Sequence, residues 1–343
     1  MEDDNAPLVS IVIPHYRGDV ILNCLDSIFR DNFDSREIIV IDDGSEDGSM
    51  ASARSSFPDV KYVRNPSNLG FVKSCNRGIR LSSGKYIILL NDDAEVSPGW
   101  LEHLLSFAES RDNLGACQPK ILSLQNPEKF DYAGAAGGLI DIFGHPFALG
   151  RVFYSIEEDT GQYDVPRRIF WASGAAILIS RKALNEVGPM DESFTAHMEE
   201  IDLCWRMHLL GFEVWSVPKA VVYHYSGWTL PAKSWLKEFL NHRNNLMMML
   251  KNYSFWNLLW VFPVRVCFEI ISTIAFRTTV PLYSIRSLMF HIPSLLRKRH
   301  KIQSNRKISD GDIMKLMFKG SIALKYFLFE REEMGEILEQ AKG

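Results

Sequence analysis

The chain is 343 residues long, 46% hydrophobic and 23% charged, enough apolar mass for a sizeable core plus a smaller second unit. That composition excludes a disordered chain, a collagen-like repeat and a disulfide mini-protein. The net charge of −4 hides an asymmetry: residues 231–307 carry thirteen Lys/Arg and two acids, a net of +11, so the remainder sums to −15. The split predicts two units, 1–230 and 231–343, the second basic, aromatic and suited to an anionic neighbour. Five cysteines, Cys24, Cys75, Cys117, Cys204 and Cys267, are scattered without a C-x-x-C pair. They point to a reducing compartment rather than structural zinc. The start, Met-Glu-Asp-Asp-Asn-Ala-Pro, has no apolar stretch, so no secretory leader is expected.

In chain order, Val9–Ile13 reads as a buried strand, followed by helical spacing of Ile21, Leu25, Ile28 and Phe29. Glu37–Ile41 is a second strand, ended by Asp42-Asp43-Gly44-Ser45, with a helix expected from near Glu46. Val60–Val63 is a third strand. Asn68-Leu69-Gly70 then opens a helix to about Leu81, and Tyr86–Leu90 is a strand ending at Asn91-Asp92-Asp93. Strands separated by helices predict an α/β fold with a mostly parallel sheet, whose ligands sit beyond the carboxyl ends of the strands. No dinucleotide fingerprint or P-loop occurs. From about Ser234 the character changes. Asn252–Phe276 and Thr278–Leu296 are apolar runs broken by Pro263, Arg265, Glu269, Pro281, Arg286, His291 and Pro293, and Arg297-Lys298-Arg299-His300-Lys301 follows. A charge at mid-bilayer costs roughly 2.5–3.5 kcal/mol, so helices lying in an anionic leaflet fit these runs better than clean spans. A helical domain packed on the sheet, or an oligomer contact, is the other reading.

Chemistry-bearing residues fall at strand ends. Asp92 and Asp93 are expensive side by side unless solvated or neutralised by a cation such as Mg²⁺ or Mn²⁺, although a capping turn explains them too. Asp42 and Asp43 can accept from a ribose or base, or form a plain Asp-Gly turn. In His197–Arg206, helical spacing lets Arg206 pair with Asp202 and leaves Glu200 off that stripe, open to serve as a general base. Acids favoured by the helix dipole are the simpler account. His224, inside the strand-like Val221–Tyr225, is either structural or a nitrogen ligand to a metal on Asp93.

Taken together and in order, Val9–Tyr16, Asp42–Ser45, Asn68–Gly70 with Asn76, Asn91–Asp93, Trp171–Gly174, Glu199–Arg206 and His224 resemble the family 2 glycosyltransferases, which have the GT-A fold. The resemblance covers roughly residues 7–250, and within the family is strongest to bacterial rhamnosyltransferases of surface-polysaccharide or cell-wall assembly. It implies that Pro14 and Tyr16 line a nucleobase pocket and that Asp43 holds the base. Asn68 and Gly70 would lie along the nucleotide. Asn91-Asp92-Asp93 falls on the Asp-x-Asp motif, with Asp92 toward the nucleotide and Asp93 on the metal. Trp171, Ser173 and Gly174 would form the acceptor-side wall. Glu199-Glu200 falls on the Glu-Asp pair whose second member is the base, and His224 on a histidine that reaches the metal. Two departures stand out. Asn91 replaces the first acid, and Glu200 replaces Asp, which keeps Glu199 and Asp202 as alternative bases. The Gln-x-x-Arg-Trp motif of processive synthases is missing, and Leu240–Asn244 is no substitute.

The expected activity is therefore inverting, Mg²⁺- or Mn²⁺-dependent transfer of one sugar, with rhamnose favoured, from a nucleotide-diphospho-sugar to a hydroxyl acceptor. The acceptor would be a glycan or lipid-linked intermediate at the cytoplasmic face of the inner or plasma membrane. The rival is a non-catalytic nucleotide- or sugar-binding or scaffold protein with a degenerate site. A nucleic-acid partner is not expected, since the basic section alternates with long apolar runs.

Overall fold

A computed structural model of the protein describes residues 7–31, 33–225 and 234–328. The boundary expected at 230/231 lies outside the described residues. The first half follows the expected alternation: β1 (Val9–His15), α1 (Val20–Phe29), β2 (Arg36–Asp42), α2 (Ser49–Ser56), β3 (Lys61–Arg64), α3 (Phe71–Leu81) and β4 (Tyr86–Leu90). Next come β5 (Ala94–Val96), α4 (Trp100–Glu109) and β6 (Leu114–Ser123). A run of short strands follows: β7 (Gly138–Ile140), β8 (Pro146–Ala148), β9 (Arg151–Val152), β10 (Ser155–Ile156) and β11 (Arg167–Arg168). The first part of the chain closes with β12 (Ala176–Ser180), α5 (Arg181–Val187), α6 (Glu199–Leu209) and β13 (Glu213–His224).

The main sheet runs β11-β13-β6-β12-β4-β1-β2-β3, with β5 on the side of β13. β1 pairs in parallel with both β2 and β4, and β2 with β3, while β12 is antiparallel to its neighbours β4 and β6. Side chains alternate between faces as the strand period demands. On β1, Val9, Ile11 and Ile13 join the core under α1, α2 and α4; Val12 joins the core under α3, α5, α6 and the C-terminal helices. Gly78 lets α3 lie hard against β1, because a Cβ there would stand 2.1 Å from Val12 Cγ1. A second, antiparallel sheet of order β10-β9-β8-β7 sits beside the main one, bridged by Gly138 and Trp171.

Some boundaries move for local reasons. The helix expected near Glu46 starts at Ser49, after Gly48 at φ +83°. Asn68-Leu69-Gly70 is not helical; α3 begins at Phe71, past Gly70 at φ +89°. Val221–His224 proves to be the end of the 12-residue β13, with Tyr225 just past it. All five cysteines are unpaired, four of them buried.

The C-terminal section forms α7 (Trp235–Asn252), α8 (Phe255–Ala275), α9 (Val280–Asn305), α10 (Asp310–Ile313) and α11 (Ile322–Leu328). α7 packs into the core against the main sheet through Leu246, Met247, Met248 and Met249. The first apolar run becomes the single helix α8, continuous through Pro263, and by length and composition alone it could cross a membrane. Its faces are inverted relative to a soluble helix. The outward positions include Phe255, Trp256, Leu259, Trp260, Ile270, Ile271 and Ile274, with Trp256 76% exposed, whereas its two charges, Arg265 and Glu269, are buried. Arg265 pairs with Glu269 at 2.5 Å and meets His145 at 2.5 Å, and His242 reaches Glu269 at 2.5 Å.

Candidate active site

Beyond the carboxyl ends of β1, β2 and β4, the acids are sorted by their partners. Asp43 is buried, and its Oδ1 accepts from Asn65 Nδ2 (2.7 Å) and the Leu69 N–H (2.8 Å). Its Oδ2 accepts from the Gly70 N–H (2.8 Å), so three of roughly four lone pairs are used, two of them on the 67–70 loop. That loop rests on Gly44, where a Cβ would come within 2.9 Å of the Ser67 carbonyl carbon. Pro14 is buried in β1, whereas Tyr16 and Asn68 are exposed around Asp43, so these residues line one rim.

Asp92 is held by His15 Nδ1 at 2.7 Å, and His15 Nε2 in turn meets Ser49 Oγ at 2.8 Å. Burial pushes the Asp92 carboxyl up, with His15 opposing. Asp93 is buried, and its Oδ1 lies 3.1 Å from His224 Nε2 but off the line a hydrogen bond requires. Across the ring, His224 Nδ1 lies 2.9 Å from Asp131 Oδ1. Burial opposes charge on this imidazole, but Asp131 and Asp93 outweigh it and push it up to about 10. Without a cation the ring is thus held protonated, with Nε2 3.1 Å from the Asn91 amide nitrogen. A bound cation would have to displace the Nε2 proton, leaving Nδ1–H toward Asp131 and Nε2 free to ligate.

These residues fit a divalent ion. Neighbouring ligands of an octahedral Mg²⁺ lie about 3 Å apart, close to the Asp93–His224 separation, and Asp93 Oδ1 is buried without a hydrogen-bond donor. Among the described residues no group of three or more His, Cys, Asp or Glu could hold a metal alone.

The opposite wall is the turn into β12. The Asn91 N–H donates to the Ala175 carbonyl (3.0 Å), tying the 91–93 turn to it. A Cβ at Gly174 would lie 4.0 Å from Glu200 Cβ and 3.8 Å from the Phe71 ring, so Gly174 and Glu200 face each other. Ser173 is buried, accepts from the Ala175 N–H and donates to the Ala133 carbonyl. Trp171 is also buried, with its indole N–H on the Leu139 carbonyl at 2.8 Å. It supports the wall from behind.

Glu199 and Glu200 open α6 and differ from Asp202. Each has an Oε2 atom that is buried without a hydrogen-bond partner. Burial pushes Glu200 up to about 7, and burial plus the Glu200 charge pushes Glu199 well above the carboxylate range. Asp202 has no exposed surface and is fully engaged by Arg206 Nε (2.9 Å), Lys251 Nζ (3.0 Å) and Asn252 Nδ2 (2.9 Å). It anchors α6 and α7 to each other rather than joining the cleft.

The segment before α6 is strained. Thr195, His197 and Met198 all have left-handed backbones, at φ 68°, 65° and 72°, which non-glycine residues adopt only when their surroundings impose it. The restraint comes from α7. Asn244 Nδ2 donates to the carbonyls of Phe194 (2.9 Å), Ala196 (2.8 Å) and His197 (2.8 Å), while Arg243 Nε grips Asn244 Oδ1 at 3.0 Å. Asn244→Ala should therefore cost about 2–4 kcal/mol of stability, two or three buried hydrogen bonds plus released strain. It should also slow turnover by letting Glu200 drift. A melting curve and single-turnover rates check both, and wild-type values would remove α7 from the site.

Neither Asn244 nor Asp131 carried a signal in the sequence. His15, inside the Val9–Tyr16 segment, gave no hint in sequence of pairing with Asp92.

Comparison with known proteins agrees with this geometry. The family model described as glycosyl transferase family 2 matches residues 10–188. An N-acetylglucosaminyl-diphospho-decaprenol L-rhamnosyltransferase of Mycobacterium tuberculosis is 26% identical over 246 residues, 66% of this chain and 78% of that protein. An uncharacterized glycosyltransferase of Escherichia coli, YibD, is 34% identical over 108 residues, 30% of this chain and 31% of that protein. Among solved structures, GalNAc-T7 with UDP, GalNAc and Mn²⁺ superposes with a TM-score of 0.59 at 18% identity. That match covers 85% of this chain and 58% of the GalNAc-T7 chain. The mannosyltransferase PcManGT of Pyrobaculum calidifontis, with GDP-Man and Mn²⁺, gives 0.50 at 12% identity over 88% and 86% of the two chains. At these identities the structures speak for the fold alone, which is GT-A. With more than half of its length matched by the family model and its acids gathered at the strand ends of that fold, this chain belongs to glycosyl transferase family 2 and is a glycosyltransferase.

Proposed function

We propose that the protein transfers one sugar, with inversion, from a nucleotide-diphospho-sugar to a hydroxyl of a lipid-linked glycan. The observation that carries this is a pair of buried carboxylate oxygens without hydrogen-bond partners, one on Asp93 and one on Glu200. They lie on either side of the turn holding Gly174 and Ala175. A core built for stability alone would have satisfied both. In this reading Glu200 takes the acceptor hydroxyl proton as the oxygen attacks the anomeric carbon. The bond to the diphosphate breaks on the opposite face, its electron pair leaving with the nucleoside diphosphate. Burial keeps Glu200 protonatable near neutrality, and Asp43, Tyr16 and Asn68 form the nucleotide rim. Asp93 and His224 would hold Mg²⁺ or Mn²⁺, which when bound supplies positive charge against the departing diphosphate. Rhamnose is the favoured sugar because the Mycobacterium tuberculosis relative is a rhamnosyltransferase by name. The test is a thermal-shift panel of UDP, dTDP, GDP and CDP, each with and without Mn²⁺. One nucleotide should stabilise the protein in a Mn²⁺-dependent manner; stabilisation by none would favour a scaffold with a degenerate site.

The inverted α8 supports a membrane-seated enzyme on the cytoplasmic leaflet. Its apolar face continues into exposed Met289, Phe290 and Leu296 of α9, and exposed Arg297, His300 and Lys301 follow in sequence, suited to anionic headgroups. Because Arg265 is tied to His145 of the catalytic body and Glu269 to His242 of α7, which itself packs on that body, α8 lies in the leaflet plane rather than crossing it. The wild-type protein should float with anionic vesicles, and a Trp256→Ser/Phe290→Ser double variant should lose most of that binding. Equal flotation of both would remove this face from the membrane.

A further inference from the structure

One cluster near the site is not explained by holding a nucleotide or a cation. Arg151, on β9, is only 7% exposed. Among the described residues its guanidinium has no hydrogen bond or ion pair, and its Nε is buried without a partner. Gly150 creates this placement. A Cβ there would strike the Phe130 ring at 2.5 Å, so glycine lets the β8–β9 turn lie flat on Phe130 and set the next residue over Tyr132. The Arg151 guanidinium carbon is 4.6 Å from the Tyr132 ring centroid, and Lys237 Nζ, from the first turn of α7, is 5.3 Å from the same ring. Lys237 is half-buried and likewise makes no ion pair among the described residues.

Two cations therefore share one aromatic ring. Each is disfavoured by burial, and the charge of Arg151 further lowers Lys237. Asp131 is the carboxylate acting on both, and it is buried and bound to His224. Cation–π attraction of about 0.5–2 kcal/mol does not offset the several kcal/mol it costs to bury a guanidinium unpaired. The missing component is an anion. The location narrows its identity: Tyr132 follows Asp131, and Lys237 acts electrostatically on His197, just before Glu199. The cluster thus lies between the His224 end of the site and the base, at the start of α7, where Trp235 and Leu236 are exposed.

We propose that Arg151 and Lys237, stacked on Tyr132, form a phosphate subsite that receives the diphosphate of a lipid-linked acceptor and sets its sugar hydroxyl beside Glu200. The proposal rests on the transfer reading above for its substrate, but the subsite can be tested without turnover.

Farnesyl diphosphate in EDTA is the direct probe. It should stabilise the wild type in a thermal shift, and Lys237→Glu should abolish that effect while keeping the melting temperature of the unliganded protein. Arg151→Gln is the second variant, judged only where it melts as a folded protein. In steady state, Lys237→Glu should raise KM for a prenyl-diphosphate-linked acceptor about 10- to 100-fold, the loss of one charge-assisted hydrogen bond. The donor KM and the Mn²⁺-dependent nucleotide shift should stay within about twofold of wild type. A rise in donor KM instead would assign the cations to the leaving diphosphate and overturn the acceptor assignment. Equal farnesyl diphosphate binding by wild type and variant would overturn the subsite itself. A wild type that binds farnesyl diphosphate but no nucleotide would count against the transfer reading alone.

Discussion

Replacing Glu200 with Gln is expected to reduce kcat by about 10²- to 10⁴-fold, the usual contribution of a general base, while leaving nucleotide binding intact. The amide keeps the size of the side chain and its place opposite Gly174 but cannot accept a proton from the acceptor. The pH behaviour gives a second signature. Burial raises the Glu200 carboxyl from 4.5 to about 7, so wild-type turnover should climb through pH 7 and level off above it, and the Gln variant should lose that limb. Stability should move the other way. Because the folded value is raised, the native state binds a proton between pH 4.5 and 7 that the unfolded chain has released. Stability from this group is therefore lost as pH rises through that window. Glu200→Gln removes the penalty and should raise the melting temperature by a few degrees at pH 8 and by much less at pH 5. Variant turnover near wild type with nucleotide still bound would shift the base to Glu199, the other carboxylate at the start of α6 with a buried, unpartnered oxygen.

Asp93→Asn should remove Mn²⁺-dependent nucleotide stabilisation and lower kcat/KM by about 10²- to 10³-fold, comparable to removing a preorganised electrostatic stabiliser of a transition state. The substitution is isosteric and the turn is still held by the Asn91 N–H on Ala175, so folding should persist. Asp131→Asn is the graded companion. It loosens His224 without touching the cation, and changes of this kind cost about 10- to 100-fold in metal affinity. A Mn²⁺ titration at fixed nucleoside diphosphate, read by thermal shift, would order the proteins as wild type, Asp131→Asn, Asp93→Asn. Identical curves for all three would mean that the cation, if used, sits elsewhere.

Much of this site was legible before any fold was seen. Periodicity in Val9–Ile13, Glu37–Ile41 and Tyr86–Leu90 located three neighbouring strands with acids at their carboxyl ends. The i+4 pairing of Asp202 with Arg206 followed from helical spacing, and the structure has it at 2.9 Å. These features are local, set by the strand and helix repeats.

Nonlocal choices were not legible. Asp131 reaches His224 across 93 positions of sequence, and Asn244 reaches the carbonyls of 194, 196 and 197 across about fifty. No pattern within either segment encodes such a meeting. The left-handed run at 195–198 was hidden for the same reason: its residue types favour ordinary backbone, and a neighbouring helix imposes the strain. Arg265 and Glu269 read as interruptions of an apolar run, but the fold turns them inward and leaves only the apolar stripe outside. The sequence by itself determined the strands, the acids at their ends and the charge split between catalytic body and tail. Only the tertiary structure decided which acids are satisfied and which keep an unpaired oxygen, because that depends on donors arriving from distant segments, and burial makes each unpaired oxygen costly.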